Sequence, residues 1–154
     1  MMNTKIYTQV HALAEDLMDA VRKKDKVRFD EYYAELKKVC DDNENSEKDH
    51  PVQWETLADF TDDFDLAISL YDKALVKAEA MNSKDFRSSV AFAIATLKVE
   101  LGETDSAIEY LEKAKISSNK IADQDLKDEI NSLLEKLTGT EQLIPNADIW
   151  SPKT

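Results

Sequence analysis

Apolar residues recur at steps of three and four along most of the 154-residue chain, which is the spacing that places them on one face of an α-helix. Near the N-terminus the series runs Ile6, Val10, Leu13, Leu17 and Val21. Stretches of this kind predict seven helices, at about 4–22, 26–41, 51–61, 63–81, 84–101, 104–119 and 122–138. With only two glycines and three prolines to form hairpin turns, the chain is predicted to be all-α.

The segments between these helices carry residues that typically end or begin helices. Asp25, Ser83 and the acids of 59–63 are predicted to cap the helices that follow them, and Gly102 to end the fifth helix in a left-handed conformation. Phe64 is expected to be buried in the fourth helix. Residues 41–50 include five acids, one lysine and no apolar residue, so they are predicted to form a solvated loop and to be the best candidate for a mobile segment.

An internal repeat relates residues 63–76 to residues 103–116. The identical pairs are Asp65 and Asp105, Ala67 and Ala107, Ile68 and Ile108, Lys73 and Lys113, and Ala74 and Ala114. The preceding helices align in part, because Trp54 corresponds to Ile94 and Leu57 to Leu97. The repeated unit is therefore predicted to be a pair of helices.

The formal net charge of −12 argues against nucleic acid or an anionic membrane as the partner, since both require a positive surface. It favours a protein partner with a basic surface or segment, although solubility alone would also explain it. Acidic residues within the first twenty positions and the lack of an apolar run of about 20 residues predict a cytoplasmic protein without a signal peptide.

Residue types that carry catalysis are scarce in this sequence. The histidines are His11 and His50, neither in a metal-binding motif, and no glycine loop for a phosphate is present. The single cysteine, Cys40, is interpreted as a structural thiol. We therefore expect no catalytic residue, metal ion or cofactor, and a protein that is not an enzyme.

The repeat resembles the tetratricopeptide repeat, whose second helix has a small, large, small signature. The matching positions are Ala67, Tyr71 and Ala74 in the first copy, and Ala107, Leu111 and Ala114 in the second. Ala67 and Ala107 are expected to let the paired helices approach closely. Ala95 and Gly102 add to the likeness, whereas Lys98 replaces an expected aromatic residue. The resemblance implies a right-handed α-solenoid of about three helical hairpins over residues 1–138, a single domain in which 122–138 is a capping helix and the last residues form an extended tail.

Such a fold implies a protein-binding module whose concave face is formed by the first helix of each hairpin. Carried over by position, the face would be lined by Gln9, Asp16, Asp19, Val52, Glu55, Thr56, Asp59, Ser89, Phe92, Thr96 and Glu100. This lining is mostly acidic with an aromatic floor, which suits a segment bearing Lys or Arg. Ordinary solvated helix faces are the alternative interpretation.

Two functional classes follow from these expectations. The first is a small acidic binder that neutralises a basic partner stoichiometrically, as an immunity protein neutralises a toxin. The second is a secretion chaperone, or a regulatory or scaffold module that links proteins or self-associates. The tail, residues 139–154, carries Leu143, Ile144, Ile149 and Trp150, and is predicted to dock on the domain, with a partner-binding motif as the alternative.

Overall fold

A computed structural model describes residues 4–139, and this part of the chain contains seven α-helices and no strand. The helices are α1 Thr4–Arg22, α2 Lys26–Asn43, α3 Pro51–Asp59, α4 Phe64–Ala80, α5 Lys84–Glu100, α6 Thr104–Ser118 and α7 Gln124–Thr138. Each boundary lies within two residues of its predicted position, so the helical pattern is confirmed. The docking of the C-terminal tail concerns residues outside those described, and it stays a prediction.

The chain divides into two compact units, residues 1–86 and residues 87–154. In the first unit α1 contacts α2 and α3, α2 contacts α3, and α3 packs along α4. In the second unit α6 packs along α7. The single domain expected over residues 1–138 stays a prediction.

Aspartates begin three of the helices, because a carboxylate before the first turn accepts hydrogen bonds from backbone N–H groups that have no partner within the helix. Asp25 accepts from the N–H of Arg28 at 3.1 Å, and Asp63 from that of Leu66 at 2.9 Å. Asp123 accepts from the N–H of Leu126 at 3.0 Å. The caps predicted at Asp25 and within 59–63 are confirmed.

The turns that leave helices use left-handed backbone at both glycines and at three other residues. Gly102 and Gly139 have φ of 76° and 79°, which confirms the predicted left-handed end of α5. Lys24, Asn45 and Asn82 have φ of 57°, 63° and 55°. A side chain makes this conformation costly at Lys24, whereas the short polar side chain of asparagine tolerates it.

The core of the first unit includes Leu17, Leu36, Trp54 and Ala67, each at most 2% exposed. Two residues expected to be buried are not: Val21 is 56% exposed and Phe64 is 41% exposed. Val21 lies in the last turn of α1 and Phe64 is the first residue of α4, so each is at a helix end, where fewer neighbouring helices can cover a side chain.

The core of the second unit consists of small and branched residues from α5, α6 and α7. Its fully buried members are Ala91, Ala95, Leu111, Ala114 and Ile130. Leucines of α7, namely Leu126, Leu133, Leu134 and Leu137, pack against this cluster and are partly buried. The repeat position expected to allow close approach of helices is buried in both copies, since Ala67 is 1% and Ala107 is 0% exposed.

The acidic segment after α2 is only partly the solvated loop that its composition predicts. Residues 44–48 are exposed, but the side chain of Asp49 is 2% exposed and His50 is buried. The Asp49 carboxylate accepts hydrogen bonds from Trp54 Nε1 at 2.7 Å, Gln53 Nε2 at 3.2 Å and the Asn45 N–H at 2.6 Å, and pairs with Lys77 Nζ at 3.2 Å. The expectation of a fully solvated stretch was therefore wrong at Asp49 and His50, because donors from two helices and a turn converge on one carboxylate.

Candidate partner-binding surfaces

A groove of about 390 Å³ runs between α1 and α2, and we refer to it as the α1–α2 groove. Its lining residues are Gln9, Ala12, Leu13 and Asp16 from α1, and Glu35, Lys38, Val39 and Asp42 from α2. Gln9 and Asp16 were expected to line a partner-binding face, and the structure brings these two residues together in one groove.

The α1–α2 groove combines an apolar base with charged edges. Leu13 and Val39 are 7% and 8% exposed, whereas Asp16, Glu35 and Asp42 are exposed. The one ammonium group in the lining, Lys38 Nζ, lies 2.8 Å from Asp42 Oδ2. Both partners of that pair are more than half exposed, so water screens it and it contributes little to stability. The groove can thus offer carboxylates to an incoming cation without breaking a buried contact.

Asp19 does not share this groove. It lines a smaller depression of about 240 Å³ near the turn between α1 and α2, together with Lys23 and Arg28. Its carboxylate pairs with Arg22 Nη2 at 2.8 Å and with Lys23 Nζ at 3.1 Å. Hydrogen bonds from Lys23 and Arg22 hold the pKa of Asp19 below its ordinary value. The carboxylate of Asp19 is therefore already paired with two cations, Arg22 at the end of α1 and Lys23 in the turn that follows.

The α3 residues expected at the site occupy one face of that helix, since Val52, Glu55, Thr56 and Asp59 are spaced by three and four. The first three are half-buried. The Tyr71 hydroxyl of α4 donates to Asp59 Oδ1. Asp59 is exposed as a whole residue, but desolvation of its carboxyl group raises its pKa, and the Tyr71 hydrogen bond opposes that rise. Asp59 thus joins α3 to α4, a structural role that the sequence did not indicate.

The α5 residues expected at the site belong to the second unit. Ser89, Phe92 and Thr96 are half-buried and Glu100 is exposed. Phe92 packs against the core cluster of that unit, and the Thr96 hydroxyl donates to the carbonyl of Ala93 at 2.7 Å. Phe92 therefore contributes to the core while it remains only partly buried, and its role as an aromatic floor for a partner stays a prediction.

Sequence reasoning missed the α2 side of the groove, Glu35, Lys38 and Asp42, because it assigned the binding face to the first helix of each hairpin. A usable signal was present: these residues repeat at steps of three and four on the polar face of α2, opposite the buried Leu36 and Cys40.

Groups that could carry chemistry have structural partners in the described residues. Burial raises the pKa of the Cys40 thiol to about 12, and its Sγ donates to the carbonyl of Gln53 at 3.3 Å. His50 Nδ1 accepts from the Val52 N–H at 3.0 Å and so caps α3. Between residues 4 and 139, no group of three His, Cys, Asp or Glu side chains is placed to hold a metal ion. Within the same range, no helix has the length and apolar character to cross a membrane.

Comparison with solved structures identifies the fold class. The chain is similar to PcrH, solved in complex with the chaperone binding region of PopD, with a TM-score of 0.66 and 15% sequence identity. The match covers 92% of this chain and 97% of PcrH. The fold is all-α and of the tetratricopeptide-like α-solenoid class. No protein-family model matches the sequence, and no curated protein matches it either.

Proposed function

We propose that this protein is a non-enzymatic protein-binding module that holds a basic segment of a partner protein in a one-to-one complex. The α1–α2 groove is the observation that carries the proposal, because it joins an apolar base to three carboxylates and a single, already paired ammonium group. The net charge of −12 adds long-range attraction for a basic partner.

A lysine or arginine side chain fits this groove in two parts. Its aliphatic stem can lie against Leu13 and Val39, and its charged end can remain at the edge, near Asp16 and Glu35. Pairs between exposed charges contribute about 0–1 kcal/mol each. Affinity must therefore come from several such contacts. We propose the acidic face of α3 in the first unit and the aromatic face of α5 in the second unit as further, separate contact surfaces.

The comparison favours a chaperone-like version of this function, because PcrH was solved with the chaperone binding region of PopD and shares the fold. The strong negative charge favours the other version, an acidic binder that neutralises a basic toxin as immunity proteins do. The two versions differ in the state of the partner. A chaperone client aggregates or is degraded when it is alone, whereas a toxin is folded and active alone and is inhibited in the complex.

To test the proposal, the partner is first captured with the full chain and purified. The Kd of its complex with this protein is then measured by calorimetry at low and high salt. We expect the double variant Asp16→Lys with Glu35→Lys to weaken binding at least tenfold, because it reverses two charges at the groove edge. Wild-type binding should weaken as salt rises, since exposed charges are screened over about 10 Å at 0.1 M ionic strength.

The matched control is Glu109→Lys together with Glu112→Lys, which makes the same charge change on exposed positions of α6. Equal weakening by the control would mean that net charge, not the groove, attracts the partner. An unchanged Kd in the groove variant would refute the groove assignment. A further variant, Glu100→Lys at an exposed position, tests whether the α5 face also contacts the partner.

A further inference from the structure

A second depression in the first unit lies between the segment after α2 and the outer side of α4, and we call it the Trp54 crevice. Its volume is about 270 Å³, and the residues used below are Glu44, Asp49, Trp54, Asp72, Lys73 and Lys77. None of them lines the α1–α2 groove, so the two sites can be altered separately.

The crevice already holds a cation of the protein itself. Lys73 Nζ lies 4.5 Å from the centroid of the Trp54 ring and 2.9 Å from Glu44 Oε2. An ammonium group over an indole face is attracted by the negative face of the ring. The side chains of Lys73 and Glu44 are 47% and 36% exposed, so water reaches this arrangement and Lys73 can leave it.

The rest of the crevice is fixed. The Trp54 indole N–H donates to Asp49 Oδ1 at 2.7 Å, and Asp49, whose side chain is 2% exposed, also pairs with Lys77 at 3.2 Å. These buried contacts hold the edge of the indole ring, so its orientation does not depend on Lys73. The structure thus contains an indole ring that is held in place, 2% exposed, and lies beneath the Lys73 ammonium group and beside the Glu44 carboxylate.

We propose that the Trp54 crevice binds an arginine side chain of a basic peptide, which replaces Lys73 over the Trp54 ring and pairs with Glu44. Arginine suits the site better than lysine because its planar guanidinium group stacks on an aromatic ring and donates two parallel hydrogen bonds to a carboxylate. Once Lys73 has moved out, the exposed carboxylate of Glu44 has lost its cation, whereas Asp49 stays paired with Lys77, so the site favours an incoming cation.

The internal lysine is then a competitor of the partner. If Lys73 occupies the site about four fifths of the time, the site binds its ligand about fivefold more weakly. The free energies of exposed ion pairs and cation–π contacts are large enough to give an occupancy of that size. Removing the Lys73 ammonium group should therefore strengthen arginine binding, although it removes a contact of the folded protein.

The repeat supplies a matched control. Lys113 occupies the position that corresponds to Lys73, and its Nζ lies 5.2 Å from the Tyr110 ring. Lys113→Met makes the same chemical change as Lys73→Met at a position of the second unit that lies outside the crevice.

The experiment is a titration of the full-length, ¹⁵N-labelled protein with the blocked tripeptide acetyl-Gly-Arg-Gly-amide, followed by ¹H–¹⁵N spectra. We expect saturable shifts of the Trp54 indole N–H and the Asn45 N–H, and no such shifts with the neutral citrulline counterpart of the peptide. Lys73→Met should lower the Kd about fivefold, Lys113→Met should leave it unchanged, and Glu44→Gln should raise it.

Three outcomes would overturn the proposal. The first is the lack of saturable shifts at Trp54 in both the wild type and Lys73→Met. The second is equal binding of the citrulline peptide, which would show that charge is not recognised. The third is binding of acetyl-Gly-Glu-Gly-amide that Lys73→Met abolishes, which would make Lys73 the ligand-binding group of an anion site.

Discussion

The Asp49 carboxylate offers the sharpest test of how the first unit is held together. Replacement by alanine removes the acceptor for Trp54 Nε1, Gln53 Nε2 and the Asn45 N–H, and takes from Lys77 its carboxylate partner. Breaking a buried ion pair costs about 3–5 kcal/mol, and an unsatisfied buried donor about 1–3 kcal/mol. Lys77 is 28% exposed and can regain water, so we expect Asp49→Ala to lower the free energy of unfolding by about 3 kcal/mol, near the lower limit of that range.

Urea unfolding followed by far-ultraviolet circular dichroism measures this change, with the slope of the transition checked for constancy. Glu44→Ala is the control, because it removes a carboxylate from the same segment whose pair with Lys73 is exposed, and it should cost less than about 1 kcal/mol. A loss below about 1 kcal/mol for Asp49→Ala, or an equal loss for the two variants, would show that the convergence of donors on Asp49 does not stabilise the fold.

Three further predictions concern single buried positions. Burial lowers the pKa of His50, whose neutral Nδ1 accepts a hydrogen bond from a backbone N–H. The stabilisation by neutral His50 should therefore be fully present above about pH 6.5, and the free energy of unfolding should fall by up to about 1.4 kcal/mol per pH unit below it. In urea unfolding at pH 7.5 and 5.5, His50→Gln should reduce this pH dependence, and the exposed His11→Gln should not. The Cys40 thiol, buried and with a pKa of about 12, should react with a thiol reagent only as fast as the protein opens, so rapid labelling of the native protein would contradict its assignment as structural. Ala107→Leu should lower the free energy of unfolding by about 1–3 kcal/mol by overfilling a fully buried position, whereas Ile116→Leu, at a 68% exposed position, should have no measurable effect.

The elements that sequence alone predicted well are those whose cause is local. Asp25 and Asp63 begin helices because a side chain and a backbone N–H three residues later meet within one turn. Gly102 ends α5 because it adopts a positive φ without a steric cost. Ala67 and Ala107 were predicted as close-packing positions from their shared place in the repeat, and both are buried.

The features that sequence did not predict arise where separate elements meet. No residue next to Asp49 in the chain indicates that Trp54 and Lys77 will enclose it, so the acidic segment to which it belongs was predicted to be fully solvated. The α2 side of the α1–α2 groove, which includes Glu35, was missed for a related reason. A groove forms where two helices pack together, and the periodic pattern of one helix does not indicate which helix it packs against.

The left-handed residues Lys24, Asn45 and Asn82 have a consequence for the denatured chain. Glycine at Lys24 would relieve steric strain of about 1–2 kcal/mol in the native turn. It would also widen the range of conformations open to the unfolded polypeptide, which costs about 0.4–1 kcal/mol. The entropic cost offsets part of the relief. With residues other than glycine at these three turns, the unfolded chain has fewer conformations to lose on folding.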